Sequence, residues 1–330
     1  MSIAIEAEGL AKEYPGGVKA LDGLSFSVEE GTVFGLLGPN GAGKSTTVKI
    51  LTTLALPDAG RASVAGFDVL RDPARVRERI GVVSQAGGLD QQATGRENLR
   101  LQGQAFGMGG KDLQRRESEL LEQFGLADAG DRLVREYSGG MSRRLDVALA
   151  LVHQPTVLFL DEPTTGLDPE VRAEMWSEIE RLTGAGLTVL LTTHYLEEAD
   201  RLAAQLAIVD RGTVVAEGSP DALKRELRGD AIHVELGGSG EDGQVRDALA
   251  AVPGIDEILL GDRTLHARAE DGARSVPAVL AALEAARVEV ASVTVARPSL
   301  DDVYLRFTGR TFHAAEAQTD DKPGSREATR

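Results

Sequence analysis

Residues 38–45 read Gly38-Pro39-Asn40-Gly41-Ala42-Gly43-Lys44-Ser45, and Thr46 follows. Glycines at these positions let successive backbone N–H groups converge on one anion with no Cβ in the way. A helix starting near Lys44 adds its own unpaired N–H groups. The chemistry this suits is the holding of nucleotide phosphates, with Lys44 bridging the β- and γ-phosphates and the Ser45 hydroxyl on Mg²⁺. A second cluster closes the run Val157-Leu158-Phe159-Leu160-Asp161-Glu162. An apolar strand has no structural need for two adjacent carboxylates at its end. Asp161 suits a water-mediated hold on Mg²⁺, and Glu162 suits polarising an attacking water as general base. Hydrolysis follows more naturally from this set than transfer to an organic acceptor.

These residues need elements to carry them. Thr32–Leu37 is an apolar strand running into the glycine loop, and Lys44–Leu54 has helical spacing behind it. Ile80–Ser84, Val157–Leu160, Leu187–Leu191 and Leu206–Val209 are short runs rich in Val, Ile and Leu, separated by helical stretches. That is the pattern of an α/β unit with a mostly parallel, doubly covered sheet. Ser2–Glu8 and Leu24–Val28 read as further short strands. Residues 93–153 break the alternation: Leu113, Glu117, Leu120, Leu121 and Phe124 recur at three and four, so a helical insertion is expected. Asp168-Pro169-Glu170 reads as an Asp N-cap with Pro at the first helical position.

After Arg228 the order strand, helix, hairpin, helix, strand predicts a small two-layer α+β domain over 229–309. Gly237–Gly240 and Gly261-Asp262 are its expected turns. A terminal helix from Ser299 carries a Ser299/Asp302 capping box. Residues 310–330 are polar and are expected to be a disordered tail. The predicted division is 1–228, 229–309 and 310–330.

Composition bounds the function. The 330 residues carry 36 Lys and Arg against 52 Asp and Glu, a net charge of −16. A generic nucleic-acid binder has a basic footprint, so no nucleic-acid partner is expected. There are 0 cysteines, which excludes thiolate zinc sites, iron–sulfur clusters and cysteine nucleophiles. No apolar run is long enough to span a bilayer.

With these motifs in hand, residues 3–225 resemble the ATP-binding cassette ATPases. The most specific mark is Ser138-Gly139-Gly140-Met141-Ser142 after Tyr137, similar to the family's signature loop except that Met141 stands where Gln is commoner. The resemblance implies a P-loop NTPase fold and a head-to-tail homodimer with two ATPs between the subunits. In it Ser138, Gly139 and Gly140 would meet the γ-phosphate of the partner's ATP. Gln85 resembles the Q-loop glutamine, near Mg²⁺ and the water. Asp168 resembles the D-loop aspartate, and His194 the switch histidine that contacts the γ-phosphate. Tyr14 resembles the aromatic that stacks on adenine; an ordinary surface tyrosine is the alternative. Arg143 and Arg144 stand in the first turn after the signature, where the helix dipole disfavours cations.

Within the family the chain is similar to the drug-exporter ATPases of the daunorubicin-resistance type. The similarity rests on Ser138–Arg144, on Leu191–Asp200 and on Leu300–Gly309. It implies a separate transmembrane permease as partner, coupled near Gln85 and residues 87–106, and a place on the cytoplasmic face of the cell membrane. Lipid, polysaccharide or heme-related export, and a soluble non-transport ATPase, are the alternatives.

Overall fold

The computed structural model describes residues 2–85, 87–237, 242–260, 264–312 and 314–316. The chain divides into two compact units, one ending at Ser219 and one beginning at Pro220.

The first unit runs β1 (Ile3–Tyr14), β2 (Val18–Glu29), β3 (Val33–Leu37), α1 (Lys44–Leu51), β4 (Ala59–Val64), β5 (Phe67–Asp68), α2 (Pro73–Arg79), β6 (Ile80–Val83), α3 (Gly95–Ala105), α4 (Gly110–Gln123), α5 (Gly139–Ala150), β7 (Val157–Asp161), α6 (Pro169–Gly184), β8 (Thr188–Thr193), α7 (Leu196–Leu202), β9 (Gln205–Asp210) and β10 (Thr213–Gly218). The main sheet has the order β10-β9-β3-β8-β7-β6. Its strands from β9 to β6 are parallel, and β10 pairs antiparallel at the edge. The apolar runs explain this. Along β7, Leu158 and Leu160 join one buried cluster while Val157 and Phe159 join another on the opposite face. Side chains alternate across a strand, so a strand apolar at every position is stable only with both faces covered.

The front of the unit is more strand-rich than expected. β1 and β2 form a long antiparallel hairpin, and β4 and β5 extend it into the sheet β2-β1-β4-β5. Polar residues interrupt β1 and β2, and bulges shift their register, which shortens the apolar alternation visible in the sequence. The helical insertion is α3, α4 and α5. Its one polar position on the apolar side, Glu117, is buried because Arg100 donates two hydrogen bonds to it, at 3.0 and 2.9 Å.

The second unit runs α8 (Pro220–Glu226), β11 (Asp230–Leu236), α9 (Asp242–Ala250), β12 (Ile255–Leu260), β13 (Thr264–Ala269), α10 (Gly272–Ala285), β14 (Val290–Ala296) and α11 (Leu300–Thr308). Its antiparallel sheet has the order β12-β13-β11-β14, and one face packs with α9 and α10 through Ile232, Val234, Leu265, Leu249, Val279 and Leu283. The unit begins before the expected boundary at Arg228, because α8 packs on α11 and Arg306 donates to the Glu226 carbonyl. The expectation of disorder from Arg310 also fails at the described residues 310–312 and 314–316. Phe312 is buried against Tyr304, with ring centroids 4.9 Å apart, and Ala315 is buried with it. One aromatic in a polar stretch anchors what composition alone reads as tail. The rest of that tail, and most of the two expected turns, lie outside the described residues.

Candidate active site

Three neighbouring parallel strands, β3, β8 and β7, end at one level: Leu37 pairs with Thr193 and Asp161 with Thr192. In open α/β sheets, ligands bind outside such carboxyl ends. The loop after β3 is tightly wedged there. The Gly38 N–H donates to the Thr193 carbonyl at 3.3 Å, and a Cβ on Gly38 would lie 2.4 Å from the Val209 carbonyl oxygen. Gly43 has φ +110°, and a Cβ there would lie 2.6 Å from the Ala20 carbonyl oxygen. Gly43 is also the N-cap of α1, so no side chain caps that helix. The helix opens onto the loop with its terminal N–H groups directed at it.

Lys44 is 4% exposed. Its Nζ donates to the carbonyls of Gly38 at 2.7 Å and Pro39 at 3.2 Å, and lies 3.4 Å from Glu162 Oε1. Asp161 Oδ1 accepts from Ser45 Oγ at 3.2 Å and from Thr192 Oγ1 at 2.5 Å. Glu162 stands at φ +50°, left-handed for a residue with a Cβ. Its N–H is shared between the Thr192 carbonyl and Thr192 Oγ1, both at 3.1 Å. Glu162 Oε2 accepts from Thr165 Oγ1 at 3.3 Å and lies 3.3 Å from His194 Nδ1. The His194 atom is buried and has no aligned hydrogen-bond partner. Burial pushes the Glu162 carboxyl up, but the His194 ring and the Lys44 ammonium outweigh it and hold the pKa at about 2. Glu162 is therefore an anion at neutral pH.

The structure thus gathers Lys44, Ser45, Asp161, Glu162 and His194 on one set of strand ends. The loop residues Gly38–Gly43 and Thr46 adjoin them, and the other predicted residues stand elsewhere. Tyr14 ends β1, half-buried, on the hairpin whose second strand touches Gly43 through Ala20. Gln85 follows β6 and is exposed. Ser138 is the N-cap of α5, its Oγ accepting from the Met141 N–H at 3.2 Å. Ser138 and Gly139 are exposed; Gly140 is buried, and a Cβ there would lie 2.7 Å from Val171. Asp168 caps α6, its Oδ1 accepting from the Val171 N–H at 3.0 Å. Among the described residues none of these is hydrogen-bonded to the Lys44–Glu162 cluster.

Sequence reasoning gave no role to Thr192 and missed that of Arg143. Thr192 orients Asp161 and receives Glu162; its only sequence signal is a hydroxyl at the end of a buried strand. Arg143 is 9% exposed. Its guanidinium donates to the carbonyls of Pro163 (2.7 Å), Ser84 (2.9 Å), Glu162 (3.3 Å) and Asp161 (3.4 Å). Burial pushes its pKa down, opposed by Asp146, Asp161 and Glu198. Its expected place is the first turn of a helix, but α5 begins at Gly139 behind the Ser138 cap, so Arg143 is the fifth helical residue and its partners are set by the four carbonyls rather than by the dipole.

The comparisons agree with this geometry. The family described as "ABC transporter" matches residues 21–165, and "ATP-binding protein DrrA1-3-like, C-terminal domain" matches residues 218–308. The daunorubicin resistance ATP-binding protein DrrA3 of Streptomyces coeruleorubidus is 50% identical over 315 residues, covering 95% of this chain and 98% of that one. A Nod factor export ATP-binding protein I of Ralstonia nicotianae is 40% identical over 312 residues, covering 93% and 94%. A solved ATP-binding subunit of an ABC transporter superposes with TM-score 0.61 at 30% identity, over 68% of this chain and 92% of that one. The ATP-binding cassette MJ0796, solved as a dimer in a post-hydrolysis state with ADP and Pi, superposes with TM-score 0.60 at 25% identity, over 65% and 98%. The fold and site define a P-loop ATPase of cassette type. The chain belongs to the ABC transporter ATP-binding proteins, within their daunorubicin-resistance group.

Proposed function

We propose that this chain is the ATP-hydrolysing subunit of an exporter that moves a drug or antibiotic through a separate transmembrane permease. The observation that carries the reading is the convergence of Lys44, Ser45, Asp161, Glu162 and His194 on adjacent strand ends. The donor set fits Mg-ATP. α1 has no side-chain cap, the Lys44 ammonium is buried, and the His194 Nδ1 is buried without an aligned partner. Ser45 and Asp161, with Gln85 from the neighbouring strand end, would hold Mg²⁺, whose chemistry is to neutralise charge on the phosphate oxygens.

The chain's own groups then divide the work. The N–H groups of residues 38–46 bind phosphate oxygens. Lys44 turns from Glu162 to the phosphates, exchanging one counter-charge for another. Glu162 loses the ammonium that depresses its pKa, becomes more basic and takes a proton from the attacking water. His194 stays beside Glu162 Oε2 and meets the γ-phosphate. Tyr14 offers its ring to adenine.

Ser138 and Gly139 stand exposed at the start of α5, available to the nucleotide of a second copy. This supports a head-to-tail homodimer, with Gly140 close-packed behind the loop and Asp168 between the two sites. Among the described residues no helix is long and apolar enough to cross a membrane, so transport needs the permease. A cavity of about 310 Å³ lined by Leu54, Val82, Phe106, Leu149 and His153 adjoins the β6 end and the helical insertion. Leu54, Val82 and Phe106 are exposed there, which suits a docked permease segment at the cytoplasmic face of the membrane. A second reading, a cargo other than a drug, rests on the relatives named for Nod factor export.

Glu162→Gln tests the site. ATP binding is retained and hydrolysis falls roughly 10²-fold or more, the scale of general-base assistance. Trapped ATP then drives dimerisation in light scattering, and Ser138→Arg in the same background blocks it. Near-normal hydrolysis by Glu162→Gln overturns the assignment of the base.

A further inference from the structure

The sheet of the second unit has one face in the core and one turned away. Ile232, Val234 and Leu265 point to the core cluster with α9 and α10. His233 on β11 and His266 on β13 alternate with them, and the two are direct register partners. Their side chains therefore stand side by side on the other face. The rings meet edge to face at 89° with centroids 4.8 Å apart, and their Nδ1 atoms are 2.8 Å apart.

A buried carboxylate completes the group. Asp302 on α11 is 7% exposed, and its Oδ1 lies 3.6 Å from His233 Nε2. The work of the capping box falls on the other oxygen: Oδ2 accepts from Ser299 N at 2.8 Å and Ser299 Oγ at 2.7 Å. Oδ1 is thus left beside His233 Nε2, while the other nitrogen of that ring, Nδ1, faces His266. One ligand atom from each of the three residues lies within 4.8 Å of the other two. Arg268 shares this outer face, but its guanidinium is bonded to the carbonyls of Leu227, Arg228 and Gly229.

We propose that His233, His266 and Asp302 form a site for a divalent transition metal of the Zn²⁺ class. Two imidazole nitrogens and one carboxylate oxygen match the preferences of that class, and further positions are left for water. At ordinary Zn–N lengths, tetrahedral nitrogens stand about 3.4 Å apart, so on binding the rings part by about half an ångström and the His233 ring turns to bring one nitrogen toward both His266 and Asp302. The donors differ from those of the nucleotide site, where hydroxyl and carboxylate oxygens suit Mg²⁺. The metal pins α11 to β11 and β13, and its role is structural or regulatory for the second unit. This assignment does not depend on the ATPase reading.

The test is calorimetric titration of the full chain with ZnCl₂ after chelator treatment, without nucleotide, alongside the visible absorption of added Co²⁺. One equivalent binds to the wild type. His266→Gln and Asp302→Asn each weaken binding by about tenfold or more and remove the ordered Co²⁺ bands. His194→Ala leaves both readouts unchanged. If His266→Gln fails to fold, His233→Gln, whose ring is partly exposed, gives the same readout. Absence of binding to the wild type, equal binding by the variants, or loss of the metal in His194→Ala overturns the site.

Discussion

Neutralising Glu162 should cost the nucleotide-free protein stability that nucleotide then restores. Lys44 Nζ lies 3.4 Å from Glu162 Oε1, with the side chains 4% and 9% exposed. In Glu162→Gln the ammonium keeps the Gly38 and Pro39 carbonyls but loses its formal counter-charge. A carboxyl shifted from 4.5 to about 2 corresponds to about 3 kcal/mol as an upper figure. The retained carbonyl contacts reduce it, so about 1–3 kcal/mol is expected. For a unit of this size that lowers Tm by about 3–10 °C. Gln is the right replacement because it keeps the length and leaves the left-handed backbone at residue 162 equally burdened. The assay is thermal unfolding of both proteins, first without nucleotide and then with saturating non-hydrolysable ATP analogue and Mg²⁺. Phosphates replace the carboxylate beside Lys44, so the gap narrows or reverses. An equal Tm without nucleotide, or a gap that nucleotide leaves unchanged, refutes the reasoning.

The Glu162 pKa is depressed in the folded chain, so its contribution is present above about pH 4.5 and is lost as pH falls toward 2; the Tm difference between wild type and Glu162→Gln, measured against pH, closes over that window. Arg143→Lys keeps the charge but cannot span the carbonyls of Ser84, Asp161, Glu162 and Pro163, so nucleotide affinity changes little while kcat falls about tenfold or more in a steady-state assay. Phe312→Ala empties a buried site against Tyr304 and destabilises the second unit by about 3 kcal/mol, read as faster hydrogen exchange along α11.

The clustering at the candidate site was legible because its parts are local. A glycine loop between an apolar strand and a helix, and two acids closing another apolar strand, are each confined to a few neighbouring residues. The central strands were legible for the same reason: β7 is apolar up to Asp161, and β8 carries the run Val189-Leu190-Leu191. What stayed hidden depends on distant pairing. Bulges blur the alternation along β1 and β2, β4 is set by its pairing with the distant β1, and the burial of Glu117 needs Arg100 on another helix. The pairing of His233 with His266 needed the strand register, and Arg143 needed four carbonyls from two separate strand ends. The start of the second unit at Pro220 rather than Arg228 reflects α8 choosing α11 as its neighbour, which no local pattern announces.

Arg143 belongs to α5 by its backbone and to the ends of β6 and β7 by its side chain. A guanidinium is rigid and planar, so its donors cannot follow four acceptors in different directions. Tilting α5 must either drag residues 84 and 161–163 along or break hydrogen bonds to a charged group, at about 1.5–3 kcal/mol each. The helix and the strand ends are therefore geared rather than merely adjacent. A push on the helical insertion from outside arrives at the two carboxylates as displacement, with little side-chain slack to absorb it, and a shift of those carboxylates travels back along the same lever.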